Sequence, residues 1–200
     1  MDALILAGGE NKRFPLKKSF LEINNKKIIE SNVELLGGIF DRVVISTNDP
    51  ELYFYLGVQM VGDIVKYKGP MAGIFSALIN TEGTEIFVTA CDMPFMKAEL
   101  IKYILFKAKD AEKRDWSAVI PIFDKKPQPL FGIYSKGIIG KMEESLRKEK
   151  RSLRGLLSGT EVLYISEEEV MSVDPEGRSF ININTPEDFE KEIGGEICLA

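Results

Sequence analysis

Six short apolar runs alternate with stretches of helical periodicity along this chain, and that alternation leaves few folds open. The strand-like runs are Ala3–Leu6, Arg42–Ser46, Val58–Val61, Ile86–Ala90, Ser117–Pro121 and Glu161–Ile165. Between them, apolar residues recur three and four apart, the spacing that puts side chains on one face of a helix. Ile28, Ile29, Val33 and Leu36 make the first stripe, and Met71, Ile74, Phe75 and Leu78 the second. Leu100, Ile101, Ile104, Leu105 and Ala108 make a third; Ile138, Ile139, Met142 and Leu146 make a fourth. All four read as core-facing stripes. A chain that alternates β and α in this way is expected to be α/β, with a mostly parallel sheet and helices on both faces.

Two segments depart from the plain alternation. Lys125-Lys126-Pro127 reads as a turn and Pro129–Tyr134 as extended, so Phe123–Tyr134 is expected to form a small hairpin-like insertion. Near the C-terminus, Thr185 is the expected N-cap of a last helix. Pro186 would be its first residue, with Glu187 and Asp188 in its first turn.

Composition excludes several classes of function. A length of 200 residues favours one domain, and a 44% hydrophobic content is ample for its core. The net charge of -5 argues against a general nucleic-acid binder. No apolar run reaches the length of a membrane span, and the N-terminus lacks the basic region of a signal peptide. Cys91 and Cys198 are too far apart in sequence for a Cys-x-x-Cys site, and a reducing cytoplasm is the expected compartment. There is no histidine at all. Any chemistry must therefore run on carboxylates, lysines, backbone dipoles or a hard metal ion.

The chemistry-bearing residues gather at strand ends. Ala3–Leu6 breaks into Ala7-Gly8-Gly9, and a cationic stretch with Lys12, Arg13, Lys17 and Lys18 follows. Paired glycines let bare backbone approach a ligand, and fixed cations neutralise a polyphosphate. The stretch has neither the Gly-x-Gly-x-x-Gly of dinucleotide folds nor the Walker pattern. In a parallel sheet, ligands bind outside the carboxyl ends of the strands. Asp92, two residues beyond the run Ile86–Ala90, should project to the same edge as the glycine loop. A carboxylate there is the natural Mg²⁺ ligand beside a triphosphate. Cys91 lacks a histidine partner and reads as a small packed hydrophobe. Gly69-Pro70-Met71-Ala72-Gly73 is a tight entry into a helix, serving either ligand approach or close helix–sheet contact. Asn182 and Asn184 are two apart, so an extended backbone points both amides to one side, toward a polar ligand group or a metal-bound water. Asn48-Asp49-Pro50 follows another strand and reads either as ligand-binding or as turn chemistry.

These blocks together resemble the MobA-like nucleotidyltransferases. Leu6-Ala7-Gly8-Gly9 with Arg13 and Lys18 is similar to that family's nucleotide loop. Gly69–Gly73 resembles its Gly-Pro-Leu-Ala-Gly turn, and Cys91-Asp92-Met93-Pro94 its Cys-Asp-x-Pro metal segment. Gln128-Pro129-Leu130 and Asn182-Ile183-Asn184-Thr185-Pro186 match two further blocks, in the family's order. Where the family usually reads Arg-Met-Gly and then Asp-Lys, this chain has Arg13-Phe14-Pro15 and Lys17-Lys18, in a loop one residue shorter.

The resemblance implies a single Rossmann-like three-layer domain over residues 1–200, its N-terminal half binding nucleotide and its C-terminal half the acceptor. It implies Mg²⁺ and transfer of GMP from GTP to molybdopterin, yielding the guanine dinucleotide cofactor and pyrophosphate. By position in the motifs, Leu6, Ala7, Gly8, Gly9 and Gly69 would contact the nucleotide, while Arg13 and Lys18 would bind its triphosphate. Asp63 would accept from guanine N1–H and N2–H, and Asp92 would hold Mg²⁺. Asn182 and Asn184 would face the pterin or the metal. Expected partners are GTP, the molybdenum cofactor and proteins that deliver it or receive it, but neither nucleic acid nor membrane. The rival readings are the same chemistry with CTP or a sugar phosphate, and a non-catalytic nucleotide-binding adaptor for molybdoenzymes.

Overall fold

The computed structural model describes residues 1–8, 18–65, 69–111, 115–150 and 152–193. Seven strands form the path of the main sheet: β1 (Asp2–Leu6), β4 (Arg42–Ser46), β5 (Gln59–Val61), β6 (Glu85–Ala90), β7 (Ala118–Phe123), β9 (Gly132–Ser135) and β10 (Val162–Ile165). Two two-residue strands, β2 (Glu22–Ile23) and β3 (Lys26–Lys27), make a separate antiparallel hairpin. A further short strand, β8 (Lys126–Pro127), pairs antiparallel with β7. The helices are α1 (Ile28–Gly37), α2 (Pro70–Asn80), α3 (Ala98–Asp110), α4 (Ile139–Arg147), α5 (Leu153–Leu157), α6 (Glu167–Val173) and α7 (Pro186–Ile193).

The sheet order is β10-β7-β9-β6-β1-β4-β5. β1 pairs in parallel with both β4 and β6, β4 with β5, and β7 with β10. Of the seven strands on this path, only β9 runs the other way, antiparallel to both β6 and β7. The expected hairpin is present as β7–β8, with its turn at Asp124-Lys125 rather than Lys125-Lys126-Pro127. Both turn residues adopt positive φ (51° and 56°), the conformation of a two-residue hairpin turn. Of the expected extended run Pro129–Tyr134, only Gly132 onward is strand. That strand enters the sheet between β6 and β7 instead of standing outside it.

Alternation along the strands builds the three layers. Ala3 and Ile5 of β1, Phe87 of β6 and Val119 of β7 face α1, α3 and α6. Leu4, Leu6, Ile86, Val88 and Ala118 face α2, α4 and α5. A line of rings crosses the first layer: Phe40 on Phe87 (5.2 Å), Phe87 on Phe131 (5.3 Å) and Phe131 on Phe180 (5.4 Å). It ends at the segment that carries Asn182. The charged face of α4 is exposed, with Arg147 on Glu143 and Lys148 on Glu144 one turn apart. No helix among the described residues is long and apolar enough to cross a membrane.

Candidate active site

Because β1, β4, β5, β6 and β7 run in one direction, their carboxyl ends share one edge of the sheet. The ladder continues one step past the strands there. Ala7 N–H donates to the Ser46 carbonyl at 2.9 Å, Cys91 N–H to the Leu6 carbonyl at 3.0 Å, and Thr47 N–H to the Val61 carbonyl at 3.0 Å. Leu6 and Ala7 are buried, so this backbone is rigid up to the point where Gly8 emerges exposed. Gly9, Arg13 and Lys17 lie outside the described residues, as does the side chain of Lys18. The chain is described again from Lys18, which opens the 3₁₀ turn Lys18–Phe20. Ser19 Oγ and the Tyr53 hydroxyl lie 3.0 Å apart, and Phe20 stacks on the Tyr53 ring at 5.5 Å. Burial drives the Tyr53 hydroxyl up to about 12, so it keeps its proton and stays a hydrogen-bonding post for the loop exit.

Asp63 follows β5 and meets Asn48, which follows β4. Asn48 Nδ2 donates to Asp63 Oδ2 at 2.9 Å, and Asp63 N–H donates to Asn48 Oδ1 at 3.0 Å. This reciprocal pair fixes the carboxylate in a half-exposed position. Ile64 N–H donates to Ser76 Oγ of α2 at 3.0 Å, which pins the same turn to the helix. Asn48 is thus more than a turn former, a role its Asn-Asp-Pro context alone left open.

The Gly69–Gly73 block resolves into two jobs. Gly69 caps α2 with φ 130° and ψ 169°, a conformation essentially reserved for glycine. A Cβ there would meet none of the described atoms within 4 Å, so the residue bends the backbone without packing. Gly73 is the close helix–sheet contact: a Cβ would fall 2.6 Å from Ser46 Oγ and 2.8 Å from Leu6 Cδ2. It lets α2 lie directly on the end of β1.

Asp92 leaves β6 half-exposed. Its carbonyl accepts from Ile183 N–H at 2.9 Å, which binds residues 182–184 to the Asp92 turn. Ile183 is fully buried, and Asn182 and Asn184 on either side of it are exposed. The alternation expected from their spacing is therefore present, and the backbone bond brings residues 182–184 alongside the Asp92 turn. A capping box completes the arrangement. Asp188 Oδ2 accepts from Asn184 N–H and Thr185 N–H, both at 2.9 Å, while Asp188 N–H donates to Thr185 Oγ1 at 3.1 Å. Gln128 serves the fold: its side-chain amide donates to the carbonyls of Phe123 and Lys126.

The donor set fits a hard, weakly held cation. Among the described residues no three acidic or sulfur ligands cluster. Asp92 offers one carboxylate in a turn bonded to the segment of Asn182 and Asn184, and one carboxylate is enough for Mg²⁺ when substrate phosphates and water supply the remaining ligands.

The model of the MobA-like NTP transferase domain matches residues 3–164. A protein of Peptoclostridium acidaminophilum described as "Probable molybdenum cofactor guanylyltransferase" is 35% identical, over 94% of this chain and 86% of its own length. The "Molybdenum cofactor guanylyltransferase" of Syntrophotalea carbinolica is 32% identical, over 94% and 89%. Among solved structures, molybdopterin-guanine dinucleotide biosynthesis protein A of Archaeoglobus fulgidus superposes with a TM-score of 0.83 at 28% identity, covering 97% of both chains. By the family model over residues 3–164 and by these relatives, the chain belongs to the MobA-like NTP transferase family.

Proposed function

We propose that this protein transfers GMP from GTP to molybdopterin, forming the guanine dinucleotide form of the molybdenum cofactor and releasing pyrophosphate. The observation that carries the reading is the Ile183–Asp92 backbone bond, which joins the turn of the strand-end acid to the segment of Asn182 and Asn184 at the edge where β1 ends. The names of the relatives support GTP and the molybdenum cofactor as substrates.

In this reading a terminal phosphate oxygen of the acceptor attacks the α-phosphorus of GTP in line. A new P–O bond forms, the bond to the β-phosphate bridging oxygen breaks, and pyrophosphate leaves. A phosphate nucleophile is already ionised at neutral pH, so the absence of histidine is no obstacle. Catalysis is positioning and charge stabilisation. Gly8, Gly9 and Gly69 offer backbone to the nucleotide, with Leu6 and Ala7 setting the approach, and Arg13 and Lys18 bind the triphosphate. Asp63, oriented by Asn48, accepts from the guanine N1–H and N2–H. Asp92 would hold Mg²⁺, which would neutralise phosphate charge in the transition state. Asn182 and Asn184 receive the acceptor. The N-terminal half thus serves the nucleotide and the C-terminal half the acceptor, in a single domain. The cysteine usage suits the cytoplasm, and delivery proteins or molybdoenzymes would take the product.

Calorimetry with GTP, CTP, ATP and UTP, each with and without Mg²⁺, tests the nucleotide half. The reading requires Mg²⁺-dependent binding of GTP in preference to the other three. Preference for CTP would retain the chemistry and change the product.

A further inference from the structure

Four contacts tie the 174–183 segment to the 92–97 turn, three of them outside the site itself, and a fifth braces the 174–183 segment internally. Lys97 Nζ forms an ion pair with Asp174 Oδ1 at 2.7 Å, and Asp174 is fully buried. Asp174 Oδ2 accepts from Ser179 N–H at 2.8 Å. Ser179 Oγ in turn accepts from Lys97 N–H at 3.0 Å, taking up a donor at the start of α3. The Arg178 guanidinium lies over the Phe95 ring at 4.3 Å. The fourth contact between the segments is Ile183 N–H on the Asp92 carbonyl. From below, Thr89 Oγ1 reaches both Met93 Sδ (3.4 Å) and Met96 Sδ (3.0 Å), so the turn is held on two sides.

A buried carboxylate inside this arrangement is costly to desolvate and gives no more stability than a well-packed apolar group would. What it supplies is a fixed register: Asp174 pairs with Lys97 through Oδ1 and accepts from Ser179 N–H through Oδ2. That geometry fixes the segment three residues before Asn182 against the segment five residues after Asp92.

We propose that Asp174, Lys97 and Ser179 form a latch that positions Asp92 against Asn182 and Asn184, coupling the nucleotide half of the site to its acceptor half. These are positioning residues; none need touch substrate. The kinetic part of the proposal rests on the nucleotidyl-transfer reading. The structural part, the dependence of the Ile183–Asp92 bond on the latch, does not.

The test uses the full chain with Lys97→Met, the milder Ser179→Ala, and Lys97→Arg as the conservative variant. Amide hydrogen exchange reads the Ile183–Asp92 bond directly. Exchange at Ile183 should accelerate about tenfold or more in Lys97→Met and in Ser179→Ala. Leu4 and Ile5 of β1 should keep wild-type protection. In the transfer assay, kcat should fall and acceptor KM should rise, with GTP KM within about twofold of wild type. Lys97→Arg should restore both readouts. Should Lys97→Met fail to fold, Ser179→Ala carries the same readouts. Unchanged Ile183 exchange in a folded variant overturns the latch. Faster Ile183 exchange with wild-type kinetics overturns its role in turnover. If the wild-type protein transfers no GMP, the transferase reading fails, and Ile183 exchange still decides the latch.

Discussion

The main-chain amide of Ile183 donates to the carbonyl of Asp92 across 2.9 Å, joining two segments 91 residues apart in sequence. Each had its own reason to be at the carboxyl edge. Asp92 is delivered by the direction of β6, and residues 182–184 by the burial of Ile183 against Leu21, Ile28 and Phe189. The bond makes one site of two local features. Asp92→Ala should therefore lower kcat by at least about 10³-fold. Because the side chain is half-exposed and the bond to Ile183 uses backbone, the variant should melt close to wild type. Pyrophosphate release and thermal unfolding monitored by circular dichroism measure the two effects. Near-normal turnover in Asp92→Ala would remove the metal assignment.

The Asn48–Asp63 pair makes a sharper prediction about base choice. Asp63→Ala should raise the KM for GTP by about 10- to 100-fold and leave any use of ATP nearly unchanged, because only guanine would present two donors to that carboxylate. Asn48→Ala leaves the carboxylate present but loosely held, so its effect should have the same direction and be smaller. Steady-state KM values for GTP, ITP and ATP check this. Equal losses for all three nucleotides would mean that Asp63 does not read the base.

Gly69→Ala and Gly73→Ala should each cost about 1–3 kcal/mol of stability, for different reasons. At Gly69 the cost is conformational, from forcing a side chain to φ 130° with no described neighbour within 4 Å. At Gly73 it is steric, against Ser46 Oγ and Leu6 Cδ2. Adding Ser46→Ala should recover part of the Gly73→Ala loss and none of the Gly69→Ala loss. Urea unfolding of the single and double variants separates the two mechanisms.

Acid should weaken the α3–α6 contact. Lys107 Nζ lies 2.8 Å from Glu169, and Ser166 N–H donates to the same carboxylate at 2.9 Å. Lys107 first and Ser166 next pull the Glu169 carboxyl down to about 2 from its ordinary 4.5. A carboxylate with a depressed folded-state value contributes its full stability above 4.5, and that contribution is lost as the pH falls toward 2. Solvent at this partly exposed pair limits it to at most about 1 kcal/mol. Glu169→Gln should therefore be less stable than wild type at pH 7, and the gap should shrink by pH 3. Urea unfolding at the two pH values reads it; a constant gap would contradict the assignment.

Much of the fold is legible in local pattern. Arg42–Ser46 matches β4 residue for residue, and the other five strand runs agree to within two residues at each end. The four apolar stripes are α1 through α4, since periodicity reports a buried face directly. What periodicity cannot carry is pairing between distant segments. Nothing in Gly132–Ser135 announces that it will run backwards between β6 and β7. The Asn24-Asn25 turn of the small hairpin has both residues at positive φ (53° and 61°), and its two-residue strands are too short to register as a pattern. At the site, Asp92, Asn182 and Asn184 could be singled out by strand ends and spacing, and Asp63 by the family resemblance. Asn48's hold on Asp63, Tyr53's hold on Ser19 and the Asp174–Lys97 pair could not, because each links residues far apart in the chain.

The most direct test of the account is pyrophosphate release by the purified protein with Mg²⁺ and molybdopterin, comparing GTP, CTP, ATP and UTP, with the pterin product weighed by mass spectrometry. The account predicts release with GTP, one pyrophosphate per guanine dinucleotide formed, and loss of both on chelation of the metal. Tight GTP binding without pyrophosphate release would contradict it and indicate a nucleotide-binding adaptor.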